Sequence, residues 1–388
     1  MTDSVENHDY AMDFGDQLLK IGKKLVPNAE TRHDKLAQFA AQAKFLPKPS
    51  IDSAINVNRT ITFADKSNTL SFGSPIILAA GANKYGENIP DFSNLGFGGI
   101  AVGTVTRRSR KGNPYTPRIR MLEEDRGIQN SMGLNNPGVE HICEVVDRDL
   151  IKAHKKSLSI GISIGETPGL DDPTDKLEDI LQSFRRAYNA ADYVEINVSC
   201  PNTGHDRIDG QMAYLETMLN QVMTIRKSLP VRKAVYAKLS PDMGAKHLEE
   251  VLELTRDSGV NGLVLFNTFP GNKAKYLNLL NGPDSLKSVT GEGALGGLSG
   301  RPLYVNTYRA LDYIKNKYPE FSILPSGGID HGYKVWDMLN IGADAVQSYS
   351  VLGYRWFGIR KMIAELQQKM LLSGQPDLDE YLNSKFYK

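Results

Sequence analysis

The most regular feature of the chain is a recurring run of apolar and β-branched residues between positions 74 and 350. Eight such runs stand out: SPIILAAG (74–81), GGIAVGTVT (98–106), SLSIGISIG (157–165), YVEINVSC (193–200), AVYAKLS (234–240), GLVLFNTF (262–269), FSILPSGGI (321–329) and AVQSYS (345–350). They are nearly continuous rather than alternating, which predicts strands covered on both faces, as in a parallel sheet. Most intervals between them carry helical patterns. In SPDMGAKHLEEVLELTRDSGV, apolar residues at 248, 251, 252 and 254 form a stripe, Asp242 is a candidate cap and Gly259 a candidate terminator. Eight strands with intervening helices over about 310 residues predict an α/β fold, a (β/α)8 barrel with loop insertions. A doubly wound open sheet is the alternative arrangement of the same strands.

Residues 10–47 have a different rhythm. Two helical stretches, YAMDFGDQLLKIGKKLVP and TRHDKLAQFAAQAKFLP, are only mildly amphipathic. Leu18, Leu19, Ile21 and Leu25 fall roughly on one face, and Phe39, Ala40, Ala43 and Phe45 form a second stripe. LPKPS (46–50) reads as a linker, so the expected division is an N-terminal helical extension, 1–50, and a barrel domain, 51–388. The extension either packs on the barrel or makes a peripheral membrane contact through residues 10–47. The opening MTDSVENHDY lacks the basic and apolar regions of a signal peptide. No apolar run approaches the ~20 residues of a membrane span. A cytoplasmic location, or a peripheral one on the inner face of a membrane, is expected.

Composition narrows the chemistry. A formal net charge of +1 over 388 residues gives no global field for nucleic acid, so any anion site must be local. The two cysteines, Cys143 and Cys200, exclude a disulfide framework and a cluster held by four cysteines of this chain. HExxH and CxxC are absent, and no metal site is expected.

In a (β/α)8 barrel the chemistry gathers at the C-terminal ends of the strands. Here those ends are polar or glycine-rich: Gly81 to Lys84, Gly103 and Thr104, Ser163, Asn197 to Asn202, Lys238, Asn267 and Thr268, Gly327 and Gly328, Tyr349 and Ser350. SGGI (326–329) and SYS (348–350) end the seventh and eighth strands, where barrels often bind phosphate, although tight turns also need glycine. GGLSGRP (296–302) is a third backbone-rich turn. Lys238, within VYAKLSP, needs an anion or an electron-rich partner if buried, whereas Lys84 reads equally well as an exposed loop lysine. Asn130, Asn197, Asn202 and Asn267 offer both donors and acceptors, and together would suit a small planar ligand such as a pyrimidine. Cys200, just past a strand, is a candidate base or nucleophile against the commoner inert buried thiol, and His205 is a rival base.

These motifs, in order and spacing, resemble the dihydroorotate dehydrogenases, flavin enzymes of pyrimidine synthesis. The resemblance runs from about residue 70 to 365 through LAAGANKYGE, GFGGIAVGTVT, GNPYTPRI, IQNSMGLNN, NVSCPNT, AKLSPD, LFNTF, GGLSGRPL, SGGI and GADAVQSYS. It implies FMN held by Ala80, Gly81, Lys84, Thr104, Asn130, Ser163, Asn197, Lys238, Ser299, Gly300, Gly327, Gly328, Tyr349 and Ser350. It implies dihydroorotate held by Lys84, Asn130, Met132, Gly133, Leu134, Asn197, Asn202, Asn267 and Thr268. Cys200 and Lys84 would be the catalytic pair: Cys200 takes the C5 proton while the C6 hydride goes to flavin N5.

The family has a cytosolic branch with a cysteine base and a membrane-associated, quinone-using branch with a serine base. Cys200 and NSMGL resemble the first; KGNPYTPRI, GGLSGRPL and the helical extension resemble the second. Arg120 and Tyr349 match positions lining the quinone tunnel there, and Ser163 replaces an asparagine of that branch. The whole-chain layout favours quinone. Fumarate or another soluble acceptor, a different dihydropyrimidine or a dihydrouridine in RNA, and a non-catalytic binding role are the alternatives. Oligomeric state and the role of the 270–296 insertion are not legible.

Overall fold

The computed structural model describes residues 20–46, 50–198, 208–280 and 295–386, except positions 22, 25, 66 and 356, together with 282 and 286. All eight expected strands form: β1 (Ile76–Leu78), β2 (Gly99–Val105), β3 (Ser159–Ile164), β4 (Tyr193–Asn197), β5 (Ala234–Lys238), β6 (Gly262–Leu265), β7 (Ser322–Pro325) and β8 (Val346–Ser348). Each pairs in parallel with its neighbour in chain order from β1 to β7. β8 pairs in parallel with β1, and a parallel bridge between Ser326 and Gln347 completes the ring. The barrel is the arrangement adopted, not the open sheet. Every residue of these strands is buried except Asn197, which explains the unbroken apolar runs.

Period-two alternation sorts the strand residues into two cores. Ile76, Leu78, Ile160, Ile162, Val194, Ile196, Val235 and Ala237 face outward into the layer of helices. Ile77, Tyr193, Ala234, Tyr236, Val264, Leu324 and Ala345 face inward. An antiparallel hairpin, Arg59–Ile61 with Leu70–Phe72, adds Ile61, Leu70 and Phe72 to that inner cluster and seals the N-terminal end. Glycines make room for the two tyrosine rings: a Cβ on Gly161 would meet Tyr193 Cζ at 2.2 Å, and one on Gly262 would meet Tyr236 Cε1 at 2.7 Å.

Helices follow the strands. In Ala245–Ser258, Val251 and Leu252 are buried and Gly259 ends the helix at φ +80°, as the stripe predicts. Its cap differs from expectation. Gly244 occupies that position, and Asp242 instead accepts from Lys273 Nζ at 2.6 Å and from the Ser240 hydroxyl.

Two short helices of the extension, α1 (Ala29–Asp34) and α2 (Leu36–Gln42), lie on the barrel. Asn28 caps α1 by accepting from Glu30 N at 2.8 Å. Leu36, Ala37, Ala40 and Ala43 join the main core, whereas Phe45 is 79% exposed and Ile21 50% exposed. The predicted second stripe is therefore only partly a packing face; Leu18, Leu19 and Leu25 lie outside the described residues. Buried Glu30 is tied to Arg118, whose backbone N–H and Nε each donate to it at 2.7 Å. No helix among the described residues is long and apolar enough to cross a membrane.

Over the C-terminal end lies a second sheet, antiparallel, in the order Phe269–Pro270, Gly297–Gly300, Gly127–Asn130, Ile119–Leu122. Its strands are two to four residues long, too short to carry a periodicity, so the apolar pattern did not reveal them.

Candidate active site

A cavity of about 410 Å³ opens between the strand ends and this antiparallel cover. Ala80, Gly81 and Lys84 reach it from the loop after β1, and Thr104 from β2. Asn197 and Lys238 reach it as the last residues of β4 and β5. The segments after β6, β7 and β8 bring Asn267 and Thr268, Gly327 and Gly328, and Tyr349 and Ser350. The cover contributes Asn130, Met132, Gly133, Leu134, Ser299 and Gly300, with Ile119 and Ile128 as an apolar wall. Residues expected from strand endings and from the resemblance thus converge on one space.

Three of the expected site residues lie outside the described residues: Cys200, Asn202 and the rival base His205. Two others are described but do not line the cavity. Ser163 is fully buried behind Thr104, its hydroxyl 3.0 Å from that of Thr104. Arg120 stands beside Ile119 on the cover sheet, and its buried Nη1 has no hydrogen-bond partner among the described residues.

The amides form a small network. Asn267 Nδ2 donates to Asn197 Oδ1 at 3.3 Å and Thr268 N donates to Asn267 Oδ1 at 2.8 Å, which fixes how the Asn267 amide is turned. Asn130 Nδ2 lies 3.4 Å from Gly297 O. Lys84 is buried, not an exposed loop lysine, and its ammonium donates to Asn135 Oδ1 at 2.8 Å. Burial, aided by the Arg118 charge and opposed by Asp34 and Glu30, pulls its pKa down to about 7. An anion in the cavity would stabilise the charged form.

On the opposite side the backbone turns at Gly327 (φ +146°) and Gly328 (φ +71°). A Cβ at either would collide, with Thr307 Oγ1 at 2.6 Å or with Tyr304 N at 2.7 Å, so only glycine fits. Behind this turn starts the helix Tyr304–Lys317, a setting that favours an anion.

Several site residues were not legible in advance. His33 comes from α1, 316 positions from its partner, and its Nδ1 is 2.6 Å from the Tyr349 hydroxyl. Burial, with Lys84 reinforcing it, lowers the His33 pKa to about 4, so the ring is neutral at pH 7. Gln347 lines the cavity and donates to Glu195, a carboxylate buried in the bore. A charged residue inside YVEIN and an amide inside AVQS were the available signals. Among the described residues no cluster of three or more His, Cys, Asp or Glu side chains could hold a metal ion.

The family model for dihydroorotate dehydrogenase matches residues 63–370. A dihydroorotate dehydrogenase (quinone) of Dichelobacter nodosus is 35% identical over 338 residues, covering 84% of this chain and 91% of the relative. One of a Bradyrhizobium species is 32% identical over 322 residues, covering 81% and 83%. Among solved structures, the DHODH of Eimeria tenella in complex with ferulenol superposes with a TM-score of 0.73 at 26% identity, covering 90% of this chain and 93% of that one.

Proposed function

The chain belongs to the dihydroorotate dehydrogenase family, and we propose that it oxidises dihydroorotate to orotate, a step of pyrimidine biosynthesis, with FMN as cofactor and a quinone as electron acceptor. The observation that carries this reading is the shared cavity: an amide network and a buried lysine on one side, a glycine turn at a helix start on the other.

The residues present fit FMN. The turn at Gly327 and Gly328, with Ser350, suits a phosphate. Lys238 is 4% exposed and lines the cavity, and its ammonium lies 3.9 Å from Glu195, beyond hydrogen-bond distance, so an acceptor from a ligand would satisfy it. Ala80, Gly81, Thr104, Ser299, Gly300 and Tyr349 complete the FMN set, and Ser163 supports it through Thr104. When bound, FMN supplies the two-electron acceptor for the hydride that leaves C6.

The chain's own groups do the rest. Asn130, Asn197 and Asn267 match the alternating donors and acceptors of the dihydropyrimidine ring, and Asn202 joins them. Met132, Gly133, Leu134 and Thr268 bound the substrate side. Lys84, charged beside the substrate carboxylate, neutralises it. Cys200 removes the C5 proton, which is acidic because it is α to a carbonyl. Loss of that proton and of the C6 hydride gives the double bond of orotate.

The acceptor assignment draws on the relatives' names and on the contact between the extension and the site. Tyr349 lines the cavity and meets His33 of α1, with Arg120 nearby on the cover sheet. Steady-state assays with a ubiquinone analogue, fumarate and oxygen test it. Quinone should be the fastest acceptor, and His33→Ala should slow quinone reduction while dihydroorotate still reduces the flavin. Fumarate as the fastest acceptor would move the chain to the soluble-acceptor reading.

A further inference from the structure

We infer that Glu195 is a positioning residue of the cofactor site: the buried counter-ion that keeps Lys238 charged where it faces the FMN cavity. The inference rests on FMN occupying that cavity.

Along β4 the inward positions are Tyr193, Glu195 and Asn197. Tyr193 belongs to the apolar floor and Asn197 to the cavity, so Glu195 is the layer between them. Its side chain is fully buried. On the adjacent strand Lys238 pairs in register with Asn197, and its Nζ lies 3.9 Å from Glu195 Oε2. From the other side of the ring Gln347, also fully buried, donates Nε2 to Glu195 Oε1. Oε2 itself has no hydrogen-bond partner among the described residues.

This arrangement is poor packing and good electrostatics. A carboxylate in the bore costs desolvation, and an apolar side chain like those one layer below would avoid it. The separation of 3.9 Å is longer than a hydrogen bond, so the attraction is Coulombic and leaves the ammonium's donors available to the cavity. Gln347 prevents the carboxylate from turning away. Burial depresses the Lys238 pKa, and Glu195 is the charged group that opposes it. Burial raises that of Glu195, opposed by Lys238 and by the Gln347 hydrogen bond. The other titratable groups near the pair are Tyr193 and Tyr236 of the floor; burial, and then Glu195, holds the Tyr193 phenol neutral. Lys238 therefore depends on one residue for its charge. A cation at that place favours the reduced, more negative flavin.

The test is the midpoint potential of bound FMN in full-length holoprotein, measured by dye equilibration from pH 6 to 9. In Glu195→Gln, Lys238 loses its counter-ion, and burial, now unopposed, favours its neutral form in the oxidised protein. Flavin reduction then takes up an additional proton, and the potential falls further below wild type as pH rises. Glu195→Asp, which keeps the charge, should restore the wild-type slope. In a Lys238→Met background, Glu195→Gln should add no further shift. Parallel wild-type and Glu195→Gln lines would overturn the proposal, as would an undiminished shift in the Lys238→Met background. Should Glu195→Gln fail to fold, Glu195→Met, a neutral side chain of similar size, takes its place: its potential should likewise fall further below wild type as pH rises, and a line parallel to wild type would overturn the proposal. A wild-type protein that binds no FMN would sink the functional reading itself, whereas parallel lines with FMN bound would sink this inference alone.

Discussion

The two ends of the barrel are built by the same strands and have opposite characters. Tyr193 and Asn197 belong to one strand and both point into the ring. Yet the first lies in a sealed apolar floor and the second in a polar cavity. Tyr236 and Lys238 repeat the contrast one strand away. The floor is closed by the hairpin through Ile61, Leu70 and Phe72, and its cluster is made of hydrocarbon and aromatic rings. The mouth carries amides, two lysines and left-handed glycines. The floor is packing alone and the mouth holds the candidate site, so substitutions at the two ends should fail in different ways.

The largest effect belongs to the mouth. Cys200→Ala should keep FMN and fold normally, while stopped-flow flavin reduction by dihydroorotate slows by about 10²–10⁴-fold. Flavin reduction at the wild-type rate would remove Cys200 as the base. The floor supplies its counterpart. Phe72→Ala empties part of the sealed cluster and should cost about 3–5 kcal/mol in urea denaturation. FMN affinity per folded molecule should not move, and a weakened FMN site in folded protein would break the separation of the two ends.

A smaller effect sharpens the comparison through pH. Lys84 has a folded pKa of about 7 against an ordinary 10.5. Between these values the unfolded chain binds more protons than the empty folded protein. Stability of the unliganded protein therefore rises with pH across that window. An anionic ligand needs the charged ammonium, so orotate affinity should weaken as pH rises above 7, by up to about tenfold per pH unit. Lys84→Met should flatten both dependences, which titration calorimetry and thermal melts read directly. The smallest effect concerns the contact between extension and mouth. Tyr349→Phe deletes the bond to His33 and should cost about 0.5–1.5 kcal/mol. Any larger loss would mean that the extension, not the barrel, organises the site.

How much of this was readable follows the same division. The eight barrel strands were legible because each is buried on both faces, and the polar strand tips were legible because they break those runs. The antiparallel cover was not, because strands such as Phe269–Pro270 and Gly297–Gly300 are too short to carry a periodicity. His33 was hidden for a different reason: it enters the site only through tertiary packing of α1 against the barrel. Lys84 illustrates the limit of local pattern, since its loop sequence fits exposure but the Asn135 contact and the folded chain bury it. Asp242 shows the converse, a good cap by position that a nearby lysine claims instead.

The most direct measurement is an anaerobic visible spectrum of the purified protein before and after addition of dihydroorotate. The flavin spectrum should bleach within seconds, with orotate formed in equal amount. A protein without flavin, or a flavin whose spectrum dihydroorotate leaves unchanged, would contradict it.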